Sequence, residues 1–299
     1  MIDFVLLSGN IQVMPNTDIQ SSTDNASSAD NQQATSWKKW GSPQRLHAEY
    51  PKTRKRPNGK ATLLGILYTD GCLSKKNKYT WRFYLGNTSL EIIMVFHDCM
   101  MNVFGLDSQR IRIAQKMVNG KPYYNAVVDS GHCGNLLIAQ YGTFRTLAYK
   151  NEVGEKVYPY TNLPFDSHSN EKEVSDFLRA AFSCDGGVTL YVGRSKIGYK
   201  FLIHNVFLSC HHPKLQRDYY TLLSYLDIKS RLLIKDNRIR IEKREDLQKF
   251  QEKVGFLEGV KITQNSKYWQ GWEKNAVLHL ALSSYDNAKS ILNLPQFLG

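Results

Sequence analysis

The sequence predicts an α+β fold built by duplicating one half, with two sheets and a pair of helices at the seam. Three observations predict it. Leu-Leu-Gly-Ile-Leu-Tyr-Thr-Asp-Gly at residues 63–71 is echoed by Leu-Arg-Ala-Ala-Phe-Ser-Cys-Asp-Gly at 178–186. Each segment opens a run that reads helix, two strands, helix, two strands, helix. Within those runs, Gln109-Arg110-Ile111-Arg112-Ile113 has a counterpart in Asn237-Arg238-Ile239-Arg240-Ile241.

Residues 1–45 form a tail, 46–165 a first repeat and 166–299 a second. Residues 15–36 are rich in Ser, Asn, Asp, Gln and Thr and are expected to be disordered. A basic, aromatic stretch follows, with Trp37, Lys38, Lys39, Trp40, Lys52, Arg54, Lys55 and Arg56. It suits a nucleic-acid backbone arm or a solvated linker.

In the first repeat a helix is expected from about Ala61 to Thr69, a turn over Leu73–Lys78 and a strand over Tyr79–Leu85. Leu90–Phe104 has helical periodicity, with Gly105 at its end. Arg110–Lys116 and Pro122–Val128 read as strands joined at Asn119-Gly120. Gly134–Phe144 reads as a helix and 150–166 as a linker.

The second repeat follows the same order. Glu171–Cys184 is helical, with Asn170 as N-cap and acidic residues in the first turn to suit the helix dipole. Val188–Val192 and Tyr199–Leu208 are strands, and Leu215–Leu226 is a helix. Arg231–Ile234 and Arg238–Glu242 are strands, and Arg244–Gly255 is a helix. Trp269–Ala281 closes the fold.

Composition narrows the partner. The chain has 299 residues, 42% hydrophobic, enough for a substantial core. Its formal net charge of +12 favours a polyanion, usually nucleic acid. No apolar run approaches the ~20 residues of a transmembrane helix, so no membrane partner is expected. Five cysteines without paired spacing suit a reducing intracellular compartment. Cys210-His211-His212 with His204 fits no standard zinc spacing.

The two echoed segments carry the chemistry. Gly65 and Thr69 lie one turn apart, as do Ala180 and Cys184, so two helices can cross closely there. Their ends would then bring Asp70 and Asp185 together as a shared metal site. Arg110 and Arg112, extended by Lys116, are expected on one strand face, and Arg238 and Arg240 on another. Such faces suit a DNA groove, where arginine pairs with guanine and other cations hold phosphates. Trp81, Arg82, Tyr191 and Arg194 are further candidates.

These segments resemble the LAGLIDADG homing endonucleases in their single-chain, two-motif form. Leu63, Gly65, Asp70 and Gly71 match the consensus in the first copy; Leu178, Asp185 and Gly186 match in the second, with Ala180 in place of glycine. The resemblance covers roughly residues 60–285. It implies a duplicated αββαββα fold with two saddle-shaped antiparallel sheets about a pseudo-twofold axis. It further implies a monomeric, metal-dependent endonuclease that cuts both strands of a long double-stranded DNA site. Asp70 and Asp185, with the backbone carbonyls of Thr69 and Cys184, would bind two or three Mg2+ ions. Lys261 and Asn87 would support the nucleophilic water, with Gln264 and Lys267 as alternatives to Lys261. The biology implied is intron or mobile-element spread in a prokaryotic cytoplasm or an organelle. An RNA maturase acting on intron RNA, or a non-catalytic DNA-binding regulator, is the alternative on the same fold. An intein is not expected, given the starting Met and the Leu-Gly end.

Overall fold

Helix α1 (Lys60–Leu67) and helix α4 (Glu171–Asp185) lie side by side at the centre of the fold. Their contact works because one position carries no side chain. A Cβ added to Gly65 would fall on the Phe177 carbonyl oxygen and 2.8 Å from the Ala180 Cβ. Tyr68 and Phe177 complete the seam, with ring centroids 6.1 Å apart, and Phe177 stacks on Tyr219 at 5.9 Å.

The computed structural model describes residues 44–45, 57, 59–165, 169–263 and 266–298. The expected disordered stretch at 15–36, the basic and aromatic residues Trp37, Lys38, Lys39, Trp40, Lys52, Arg54, Lys55 and Arg56, and Gln264 lie outside these residues. All described residues belong to the compact unit Pro43–Gly299. Among them, no helix is long and apolar enough to cross a membrane.

From α1 the chain passes into β2 (Gly71–Asn77) and β3 (Thr80–Asn87), then α2 (Leu90–Phe104). Strands β4 (Arg112–Val118) and β5 (Lys121–Asp129) and helix α3 (Gly131–Tyr141) complete the first set. After α4 come β8 (Gly186–Arg194), β9 (Lys200–Ser209), α5 (Pro213–Tyr225), β10 (Arg231–Leu233), β11 (Arg238–Ile241) and α6 (Arg244–Lys253). The order αββαββα thus occurs twice. Additions are β1 (Gln44–Arg45), the hairpin β6 (Tyr149–Lys150) and β7 (Lys156–Val157), and the helices α7 (Lys274–Ser283), α8 (Ala288–Leu292) and α9 (Pro295–Leu298).

Both large sheets are antiparallel. The first has the order β1-β4-β5-β3-β2 and the second β10-β11-β9-β8. Asn119 and Gly120, at φ 51° and 75°, make the left-handed turn that fits the twist of a hairpin. Alternation then assigns the faces. Phe83, Leu85, Ile113, Ala126 and Val128 point to the helices and are buried, as are Leu190, Val206, Leu208, Ile239 and Ile241. One apolar cluster runs through both repeats.

Three expectations need correction. The turn expected over Leu73–Lys78 is only Lys78 and Tyr79, and Leu73–Asn77 is most of β2. Its polar run hid the strand because β2 is a sheet edge, where lysines are favoured. Arg110 is not on β4; it closes a 3-10 turn, Ser108–Arg110, capped when the Asp107 side chain accepts from the Gln109 N–H. The 150–166 linker shares the small β6–β7 hairpin, formed where Asn151 and Glu155 bond across the bend.

Candidate active site and nucleic-acid face

The Asp-Gly pairs have a backbone cause. Each strand leaves its motif helix by doubling back over the last turn. A Cβ on Gly71 would lie 2.9 Å from the Ile66 oxygen; on Gly186 it would lie 2.6 Å from the Phe182 oxygen and 2.7 Å from the Phe207 oxygen. Only glycine fits either junction, so the residue before it is held at the helix end. In the first motif the Thr69 hydroxyl donates to the Gly65 carbonyl at 2.8 Å and closes the turn.

Asp70 and Asp185 meet there. Asn87 Nδ2 donates to Asp70 Oδ2 at 2.6 Å, and the Cys184 thiol favours the ionised form of the Asp70 carboxylate. Asn87 is oriented for this, because its Oδ1 already accepts from the Ser89 N–H at 2.7 Å. Burial raises the pKa of Asp70, against the pull of Cys184, Lys274 and Asn87. Burial and the charge of Asp70 raise Asp185 to about 7, with Lys274 opposing. Two acids that feel each other's charge titrate together, and the pair is short of positive charge.

Lys274 partly supplies that charge, and sequence reasoning missed it. It is 7% exposed at the start of α7. Its ammonium donates to the Ser183 and Gly186 carbonyls, each at 2.7 Å, so it sits against the end of α4. Burial lowers its pKa to about 8, while Cys184, Asp70 and Asp185 hold it up.

The segment carrying Lys261 is fastened to the same helix. Arg179 Nε donates to the Val254 carbonyl at 2.6 Å, and the Leu257 N–H donates to Ser183 Oγ at 2.7 Å. Asn275 grips both the N–H and the carbonyl of Phe256. Lys261 pairs with Glu273 through a backbone bridge and is exposed. It lines one cleft with Asn87, Lys274, Tyr191 and Arg238. Lys267 lies on the same cleft, its ammonium 5.0 Å from the Tyr268 ring centre.

Among the described residues, no three His, Cys, Asp or Glu side chains gather into a metal-holding group. His212 instead caps α5 by accepting from the Leu215 N–H, and its Nε2 meets the Pro159 carbonyl at 2.9 Å. The donor set at the seam suits a hard cation that keeps several waters and takes further oxygens from a substrate.

The faces turned away from the helices carry most of the basic candidates. Arg82, Arg112 and Lys116 share the open face of the first sheet, with Lys116 5.0 Å from the Tyr123 ring centre. Arg238 and Arg240 share that of the second, with Arg238 4.8 Å from the Phe207 ring centre. Tyr191 is exposed there, opposite Ile203. Two candidates fall elsewhere. Arg194 has the parity of Leu190 and Val192 and lies at the far, exposed end of β8. Trp81 points to the helix side, where it covers Gly134 and donates to Asn135 Oδ1 at 2.7 Å. Arg110 lies in the turn before β4.

Residues 172–255 match the family model of the LAGLIDADG-like domain. No curated protein matches the chain. Among solved structures, I-SmaMI, a LAGLIDADG homing endonuclease bound to cleaved DNA, is similar at a TM-score of 0.48 and 13% identity, over 81% of this chain and 94% of that one. I-AabMI bound to uncleaved DNA is similar at 0.45 and 13%, over 79% and 93%. I-CpaMI bound to uncleaved DNA is similar at 0.47 and 9%, over 80% and 96%. The family match thus covers 172–255, and residues 63–71 echo the string at 178–186 inside it.

Proposed function

We propose that the chain is a site-specific, divalent-metal-dependent DNA endonuclease of the homing type, which recognises a long duplex site and promotes the spread of an intron or mobile element. The observation that carries this reading is the meeting of Asp70 and Asp185 at the seam, between two sheets with basic open faces.

Asp70 and Asp185, with the carbonyls of Thr69 and Cys184, would hold Mg2+. When bound, such ions supply an activated water and offset charge on the phosphate and the leaving oxygen. The remaining work belongs to the chain's own residues. Asn87 fixes the rotamer of Asp70. Lys274 holds the end of α4 and offsets the charge of the acid pair. Lys261 presents its ammonium to the cleft, where a phosphate oxygen or the attacking water would lie. Arg82, Arg112, Lys116, Arg238 and Arg240 lie on faces that would follow the duplex, through phosphates for register and base edges for sequence.

The test is cleavage of a plasmid library with a randomised target, in Mg2+ and then in EDTA, with the ends sequenced. Metal-dependent cuts at one recurring long sequence are expected. Salt-sensitive nucleic-acid binding without cuts would overturn the nuclease reading in favour of a maturase or a regulator.

A further inference from the structure

We propose that Asp129 is a positioning residue for base reading in one half of the DNA target, setting Arg82 and Arg112 in place across the open face of the first sheet. The inference rests on the nucleic-acid reading above.

Asp129 ends β5 and stands in register with Arg82 on β3. Its Oδ1 accepts from Arg82 Nε at 2.8 Å. Its Oδ2 accepts from Arg82 Nη2 at 3.1 Å, Arg112 Nη2 at 2.8 Å and Lys76 Nζ at 2.9 Å. Three strands thus deliver one cation each to a carboxylate on a fourth. The acid lies underneath: its side chain is 19% exposed, against 39% for Arg82 and 50% for Arg112. The Arg82 hydrogen bond is the main cause that holds the Asp129 carboxyl well below the usual range, so it stays ionised.

These bonds occupy the Nε edge of the Arg82 guanidinium. The Nη1–Nη2 edge is not engaged by Asp129 and has the fork that pairs with guanine O6 and N7. An arginine already held loses less freedom on binding and offers its donors in one geometry, which favours discrimination. The acid also cancels one of three charges, which restrains sequence-independent attachment to phosphates. A purely architectural role, tying four strands together, predicts instead a lower melting temperature and uniformly weaker binding. The second sheet has its own version, in which Glu242 takes Arg231 and Arg240, each at 3.2 Å.

The experiment selects binders from a pool of randomised duplex DNA without Mg2+. It then measures the affinity of the full chain for every single-base variant of the selected site. Asp129→Asn is expected to lower discrimination about tenfold at a few adjacent base pairs in one half-site. Affinity for unrelated DNA should rise, with a steeper salt slope. Glu242→Gln should leave that half-site's profile as in wild type. Should Asp129→Asn fail to fold, Arg82→Lys, which keeps the charge and loses the fork, must flatten the same positions. An unchanged profile in the folded variants, or equal weakening across both halves, overturns the assignment. A wild-type chain that enriches no sequence overturns the nucleic-acid reading and this inference with it.

Discussion

Asp70, just beyond α1, and Asp185, the last residue of α4, hold equivalent places before a glycine, yet their surroundings differ. Asp70 is held by a short side-chain hydrogen bond from Asn87 on the first sheet, and the Cys184 thiol across the seam favours its charge. Asp185 sits in the fields of Asp70 and of Lys274, a lysine that comes from α7, beyond the second αββαββα set. Duplication has kept the acids and the glycines after them while the supporting groups diverged. The acid positions follow from a backbone junction common to both halves; the support is supplied locally.

The acids themselves give the largest expected effects. Asp70→Asn and Asp185→Asn should each reduce double-strand cleavage by on the order of a hundred- to a thousandfold while DNA binding persists. Wild-type cutting by either one would show that a single carboxylate suffices. Next come the supporting groups. Lys274→Met should slow single-turnover cleavage about a hundredfold and Asn87→Ala about tenfold, with Lys261→Met between them. The reverse order, read on one plasmid substrate, would place the dominant support on the Asp70 side.

Packing at the seam should respond on a smaller scale. Gly65→Ala should destabilise the fold by about 1–3 kcal/mol, because the new methyl meets backbone on α4. Thermal melts check this, and an unshifted midpoint would mean that the helices separate at little cost. The smallest effect is pH-dependent. A carboxyl raised from 3.8 to about 7 favours its protonated form in the folded state. Its contribution to the metal-free fold is therefore full below about 4 and is lost as pH rises to about 7. Lys274 stays protonated across that window and does not change the sign. The metal-free melting temperature should fall over this range, Mg2+ should flatten the slope, and Asp185→Asn should remove much of it. A slope unchanged by Asp185→Asn would place the titration elsewhere.

Much of this was legible in the chain because it depends on local pattern. The period of Leu90–Phe104 gave α2 at both ends, and Asn170 caps α4 as its side chain suggests. Asp70 and Asp185 were legible because the same string occurs twice. Other features were set by long-range contacts that leave no local trace. β2 reads as polar because an edge strand is wet on both faces. Arg110 breaks the alternation because Asp107 caps a turn there. Lys274 looks like any lysine at a helix start until α7 is laid against the end of α4. Asp129 is a lone acid at a strand end, and its meaning depends on which strands neighbour β5.

The glycine junctions at the two motifs constrain how such a protein can change. Asp185 ends α4 directly before β8, and Asp70 ends the three-residue turn between α1 and β2, so main-chain geometry sets the place of each. Substitutions across the sheets and on the outer helices can accumulate without altering the spacing between the two carboxylates. On the proposed reading, the open faces are thereby free to acquire new sequence preferences while the carboxylate spacing stays unchanged. A retargeted variant should therefore tolerate wholesale replacement of face residues, provided that Gly65, Gly71 and Gly186 stay as they are.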